Sequence, residues 1–321
     1  GKYTLESLTN GMYSDPLDLF REYIQNAVDS IDVALDQQLD LKENFEIQVR
    51  VDELAGEIKI HDNGCGVKKS KVRSTLVDIG NSQKDKKKSR GFRGIGRLAG
   101  LGYCDELLFT TSAVGENVRS IIRFDTLTLR KLMFQNETDI VSVDDVLSKI
   151  ITISKEEEDV EKHYFEVILE GVSQKEKLLN PKIVENYLLQ HAPVPFDPQF
   201  HWGGIIKEKT RILGYEIPEY KILLNGKLLY KPYKNTFICD RVKKREDSIY
   251  DVDVKAFYRD EKLTAILWYG VLGFYGTVLD NQIKGIRIRQ GNILIGDKTT
   301  CNSLFKEDRF NGWLVGELHV I

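Results

Sequence analysis

Cysteine is scarce in this chain: four occur in 321 residues, at Cys65, Cys104, Cys239 and Cys301, far apart and in no CxxC or zinc-ligand spacing. That excludes a disulfide scaffold and a structural zinc module, and fits the reduced thiols of a cytoplasmic protein. No run of 18 or more apolar residues is present, so no membrane span is expected. Net charge is only -3, which argues against a globally basic nucleic-acid binder. Proline is limited to seven residues, and three of them crowd into "HAPVPFDPQF", residues 191–200. Such crowding marks a linker between two domains.

With 41% hydrophobic and 30% charged residues, the chain has the composition of a globular protein, and its length suits two domains of ordinary size. Residues 1–200 carry 26 Lys and Arg against 34 Asp and Glu, whereas residues 201–321 carry 20 against 15. The second part is net positive by five, an asymmetry that suits a phosphate-bearing partner or has no meaning. "FEIQVRV" and "GEIKIHD" alternate around a Gly-containing turn and read as an antiparallel hairpin ending at Asp62. Further strands are expected at "DELLFTTS", "NVRSIIRFD" and "KHYFEVILEGV", and a helix at "NPKIVENYLLQ" with Pro181 in its first turn. Beyond the linker, "YKILLNGKLLYK", "KAFYRDEKLTAILWYG" and "KGIRIRQGNILIGD" alternate again, with turns at Asn225-Gly226 and Gln290-Gly291. Helices with antiparallel strands, in place of regular βαβ alternation, predict an α+β fold. The expected division is a first domain over 1–190, a linker over 191–200 and a second domain over 201–321.

Three short stretches stand out. After a cap and first-turn pair at Asp15-Pro16, a helix buries Leu17, Phe20, Ile24, Ile31 and Leu35 on one side. It places Glu22, Asn26 and Asp29 within roughly 60° of one another on another face, a stripe that reads as a solvated surface or as a set of aligned functional groups. "DNGCGV", residues 62–67, puts an Asp and two glycines at a strand end. This is either an Asx-type turn or a carboxylate presented to a ligand amine. "GFRGIGRLAG", residues 91–100, has glycines at 91, 94, 96 and 100 behind a Lys-rich loop that includes Lys84. Its spacing and context fail the dinucleotide fingerprint, and no GxxxxGK[ST] phosphate loop exists anywhere in the chain. What remains is a flexible solvated loop or a Gly-rich helix start that attracts phosphate oxygens.

In that order and spacing, "EYIQNAVDS", "DNGCGV" and "GFRGIGRLAG" resemble the N box and the two glycine boxes of the GHKL ATPases, the superfamily of DNA gyrase, ninety-kilodalton heat-shock chaperones, histidine kinases and MutL. The resemblance covers roughly residues 5–175 and is closest to two-domain chaperone, MutL and MORC-like members. It implies a Bergerat-type ATP-binding α/β sandwich followed by a smaller mixed α/β transducer-like domain. It also implies a slow Mg²⁺-dependent ATPase that drives a nucleotide-controlled dimer closure, with ATP and ADP as ligands. Glu22 would be the general base, Asn26 the Mg²⁺ ligand, Asp29 part of the adenine pocket floor and Asp62 the acceptor of the adenine amine. Gly64 and Gly66 would admit the base, and Gly91, Gly94 and Gly96 would donate to the phosphates, with Lys84 as a lid contact. One departure stands out. Family members often carry a Gly-Thr pair on a late strand, where this chain has Tyr164 and Phe165, and Thr110 and Thr111 lie on an earlier strand. In the second domain Lys284 follows a Gln-Ile pair similar to the Gln-Thr-Lys of type II topoisomerases. Lys284 and Arg287 are therefore candidates for a γ-phosphate contact, with Arg289 and Arg309 behind them. Whether the partner is a protein client or DNA stays open: the alternative is a DNA-associated ATPase module of a topoisomerase, repair or defence protein whose output domain lies beyond residue 321.

Overall fold

A computed structural model describes residues 15–77, 96–135 and 143–321. The chain divides into two compact units, the first made of residues 1–185 and 221–228, the second of 186–220 and 229–321.

The first unit is built on an eight-stranded sheet. Its strands are β1 (Glu46–Asp52), β2 (Glu57–Asp62), β3 (Glu106–Ser112), β4 (Val118–Asp125), β5 (Ile151–Glu157), β6 (Tyr164–Glu170), β7 (Lys221–Leu224) and β8 (Lys227–Leu228). Their spatial order is β5-β4-β3-β6-β2-β1-β7-β8, antiparallel throughout except for the parallel pair β1 and β7. Alternation decides the faces: Ile58, Ile60 and Asp62 of β2 are buried while Glu57, Lys59 and His61 are not, so one face of the sheet carries the core. Helix α1 (Asp18–Asp36) packs on that inner face against β2. The helix begins later than the Asp15-Pro16 pair suggested, with Leu17 at its N-cap and no side-chain cap, while the Asp15 carboxylate accepts the Leu17 N–H at 3.1 Å in a turn just before it. Three further helices belong wholly to this unit, α2 (Thr126–Gln135), α3 (Val143–Ile150) and α4 (Lys175–Leu178), and the division between units falls inside α5 (Pro181–His191).

In the second unit, α6 (Gly203–Ile212) accompanies a six-stranded sheet. The strands are β9 (Thr236–Asp240), β10 (Arg245–Arg259), β11 (Lys262–Leu272), β12 (Gly285–Gln290), β13 (Ile293–Ile295) and β14 (Val315–Val320), in the order β13-β12-β14-β11-β10-β9. Trp268 is fully buried at the centre of a core that includes Phe196, Phe200, Ile206 and Val315.

Several sequence-based expectations change. The Pro-rich stretch 191–200 is not a linker: Val194, Phe196 and Phe200 are buried, and the Pro195 carbonyl accepts the Lys231 N–H at 2.8 Å. The prolines fix an extended path whose alternate side chains point inward, so the segment is core of the second unit. The hairpin "KILLNGKL" likewise belongs to the first sheet, where Ile222 and Leu224 lie beside Ile47 and Val49. The second predicted turn shifts by one residue, to Gly291-Asn292, both with positive φ as a two-residue hairpin loop demands. Strand β5 and helices α2, α3 and α6 had no counterpart in the sequence reading.

Candidate functional site

Helix α1 is not a surface helix with one wet side. Tyr23 and Ala27 are buried immediately beside the Glu22/Asn26 stripe, and Glu22, Asn26 and Asp29 are themselves half-buried. Each end of the stripe meets a glycine segment. At the N-terminal end the Tyr23 hydroxyl accepts the Gly100 N–H at 2.8 Å. The Glu22 carboxylate lies so close to Gly96, the first residue of a 3₁₀ turn (Gly96–Gly102), that a Cβ there would collide with it. Arg21 holds the other Glu22 oxygen at 3.2 Å. At the C-terminal end the Ser30 carbonyl accepts the Cys65 N–H at 3.1 Å, and the Ser30 hydroxyl is hydrogen-bonded to the Asp62 carboxylate. Eight residues separate Glu22 from Ser30, about 12 Å along the helix axis. That span suits an elongated ligand with its anionic end at Gly96 and its other end at Asp62.

Asp62 ends β2 on the inner face with only 3% of its surface exposed. Its Oδ1 accepts the Gly64 N–H at 3.0 Å, and no Lys or Arg pairs with it among the described residues. Burial pushes its pKa up to about 7, against the lowering effect of Ser30 and Gly64. In the folded chain this carboxyl therefore keeps its proton well above the unfolded value of 3.8. Its contribution to stability is complete at low pH, declines as pH rises from about 4 to about 7, and is level above that. Between pH 5 and pH 8 the wild type should lose about 2–3 kcal/mol relative to Asp62→Asn. Urea titrations of both proteins at several pH values measure this, and parallel pH profiles would refute it.

The turn after Asp62 is pinned from three sides. The His163 Nδ1 meets the Gly64 carbonyl at 2.7 Å, Ser30 holds Cys65, and the Thr111 hydroxyl accepts the Val67 N–H at 2.9 Å while donating to the Tyr164 carbonyl at 2.8 Å. Gly64 and Gly66 serve this packing first. A Cβ on Gly64 would strike Ser30, and one on Gly66 would strike the Ser112 carbonyl, with φ at +61° as well. Gly66→Ala should accordingly lower stability by about 1–3 kcal/mol. A thermal melt by far-UV circular dichroism that matches the wild type would show that the turn tolerates the methyl group. Alternation along β2 also sends His61 to the opposite face. There a shallow cleft of about 630 Å³, lined by His61, Arg119, Glu158, Tyr164 and Glu166, turns away from Asp62.

A buried carboxylate and a glycine turn lie at two ends of one helix, joined by a half-buried Glu/Asn stripe. Residues 19–159 match the family described as histidine kinase-, DNA gyrase B- and HSP90-like ATPase. This segment belongs to the GHKL ATPase superfamily. The GHKL domain lies within the first unit, and its large antiparallel-rich sheet with helices is the α+β sandwich that the sequence motifs implied. A comparison with curated proteins finds no match. GHKL domains in general bind ATP with Mg²⁺ and act as ATPases or kinases.

The structure brings together Glu22, Asn26, Asp29, Asp62, Gly64, Gly66 and Gly96 around α1. Lys84, Gly91 and Gly94 lie outside the described residues. Lys284 and Arg287 lie in the second unit and outside the matched span. There Gly312 makes room for the half-buried Lys284 stem, and Arg287 is buried with its guanidinium donating to the Asn281 carbonyl at 2.6 Å. Arg289 pairs with the buried Glu317. Tyr23 and Ser30 escaped the sequence reading, although both sit beside the stripe on the same helix.

Proposed function

We propose that the first unit binds ATP with Mg²⁺ and hydrolyses it, and that the nucleotide state controls closure of a dimer. The observation that carries the reading is the Glu22 carboxylate held against Gly96, which puts a base beside the glycine segment at one end of the site. Glu22 there offers a carboxylate to take a proton from an attacking water. Asn26, one turn further along α1, offers a neutral amide oxygen, a donor that fits a hard cation keeping most of its ligands from water and phosphate. Bound Mg²⁺ would offset phosphate charge. Asp62 accepts the exocyclic amine of the base, and the glycine turn at Gly96 faces the phosphates.

Two measurements test this. Wild-type protein should release phosphate from MgATP, and Glu22→Ala should not; a wild type that hydrolyses no faster than the variant overturns the ATPase reading. Because the ionised Asp62 carboxylate is a stronger acceptor for the amine than its protonated form, ATP affinity should weaken as pH falls below about 7. Calorimetric titrations from pH 5.5 to pH 8 measure it, and a flat profile would remove Asp62 from the base site.

A further inference from the structure

The strand register places Thr111 of β3 opposite Phe165 of β6, and Phe165 opposite Asp62 of β2. Directly opposed residues share a face, with Cβ atoms about 5 Å apart, so these three form one row on the inner face. Thr111 and Asp62 are buried, whereas Phe165 stays half-exposed, the open member of the row. One side of its ring rests on buried Phe109, with centroids 5.6 Å apart. The Thr111 hydroxyl is committed to Val67 and Tyr164. Within the row, then, Asp62 is the polar group placed to meet a ligand, and whatever donates to it must lie beside the Phe165 ring.

We propose that Phe165 is the base-packing wall of the site: its ring packs against the base whose amine Asp62 accepts. Recognition then rests on one carboxylate and one aromatic face, where the resemblance to other GHKL proteins implied a threonine hydroxyl. The ligand class is a planar heteroaromatic ring with an exocyclic amine, carried on a phosphate chain. The inference rests on the ATP-binding reading above and adds the contact that holds the base. An aromatic surface favours a flat ring of any edge chemistry, so Asp62 alone selects for the amine.

The test uses the whole chain, with MgATP and magnesium tripolyphosphate, which has no base, as probes. Phe165→Ala should weaken ATP binding roughly 10- to 100-fold. Tripolyphosphate affinity should stay within about twofold, and Phe165→Tyr should restore ATP affinity. In wild-type protein with labelled phenylalanine, base protons of bound ATP should show nuclear Overhauser contacts to the Phe165 ring, a readout that needs no variant to fold. If wild type binds ATP and Asp62→Asn does not, while Phe165→Ala binds ATP like wild type, the inference fails and the ATP reading stands. Equal losses for ATP and tripolyphosphate in Phe165→Ala, or no contact from the base to the ring, would also overturn it. A wild type that binds no ATP would remove the underlying reading instead.

Discussion

Glu22→Ala should reduce ATP turnover by about 10²–10⁴-fold while changing ATP affinity only a few-fold. The magnitude is that of losing a positioned general base, and the geometry explains why no neighbour replaces it. Glu22 is fixed between Arg21 and the Gly96 backbone, while Asn26 and Asp29 lie one and two turns further along the helix. A carboxylate displaced by a helical turn, about 5 Å, cannot reach the same water. Glu22→Gln is the stricter variant, because it keeps volume and hydrogen bonding and removes only basicity. Phosphate release at saturating MgATP, together with calorimetric affinity, separates the outcomes. A Gln variant within tenfold of wild type would mean that Glu22 orients groups without accepting a proton. A large loss of affinity would mean that it binds nucleotide instead.

The legibility of this site in the sequence followed the range of the interactions. Motifs that close on themselves within a few residues were readable: Asp62 at a strand end, the glycines after it, and the stripe on α1. The hairpin of β1 and β2 was equally plain, since its alternation and turn are local. What could not be read was pairing over long distance. Nothing local in "KILLNGKL" says that it extends a sheet begun more than 170 residues earlier, yet Asn225 bonds both the N–H and the carbonyl of Val51. The Pro-rich stretch misled for the same reason. Its prolines announce an irregular path, and only the tertiary structure shows that Val194 and Phe196 point into a core. Arg287 and Arg289, offered by the sequence as phosphate contacts, share one face of β12, and that face is buried, with Glu317 on the neighbouring β14 supplying a partner charge. Phe165 is the most informative case. As a departure from a motif it indicated only that something was missing, and the register across β3, β6 and β2 shows what stands there instead.

The largest loss of stability should come from the second unit, on replacing Glu317 by Ala. This carboxylate is fully buried and receives donors from five side chains. Lys231 approaches at 2.6 Å, Tyr233 at 3.0 Å, His319 at 3.1 Å and Trp268 at 3.2 Å, with Arg289 completing the set. Burial alone would raise its pKa, but Arg289, Lys231 and His319 outweigh that effect and hold the group ionised well below the usual carboxylate range. Removing it leaves Lys231 and Arg289 buried without the carboxylate both pair with, which costs about 3–5 kcal/mol. All three tryptophans, Trp202, Trp268 and Trp313, belong to this unit, so urea unfolding followed by tryptophan fluorescence reports on it alone. Wild-type stability retained in Glu317→Ala would mean that the cations find water or other partners. Acid should probe the same cluster from another direction. His319 is neutral because burial, despite the favourable Glu317 beside it, lowers its pKa to about 4. Its folded pKa lies below the unfolded value of 6.5, so the stabilisation is full above pH 6.5 and is lost as pH falls towards 4. His319→Gln keeps an amide to bond Glu317 without a titrating group. It should flatten the fluorescence-detected stability profile over that window, and an unchanged slope would assign the acid sensitivity elsewhere.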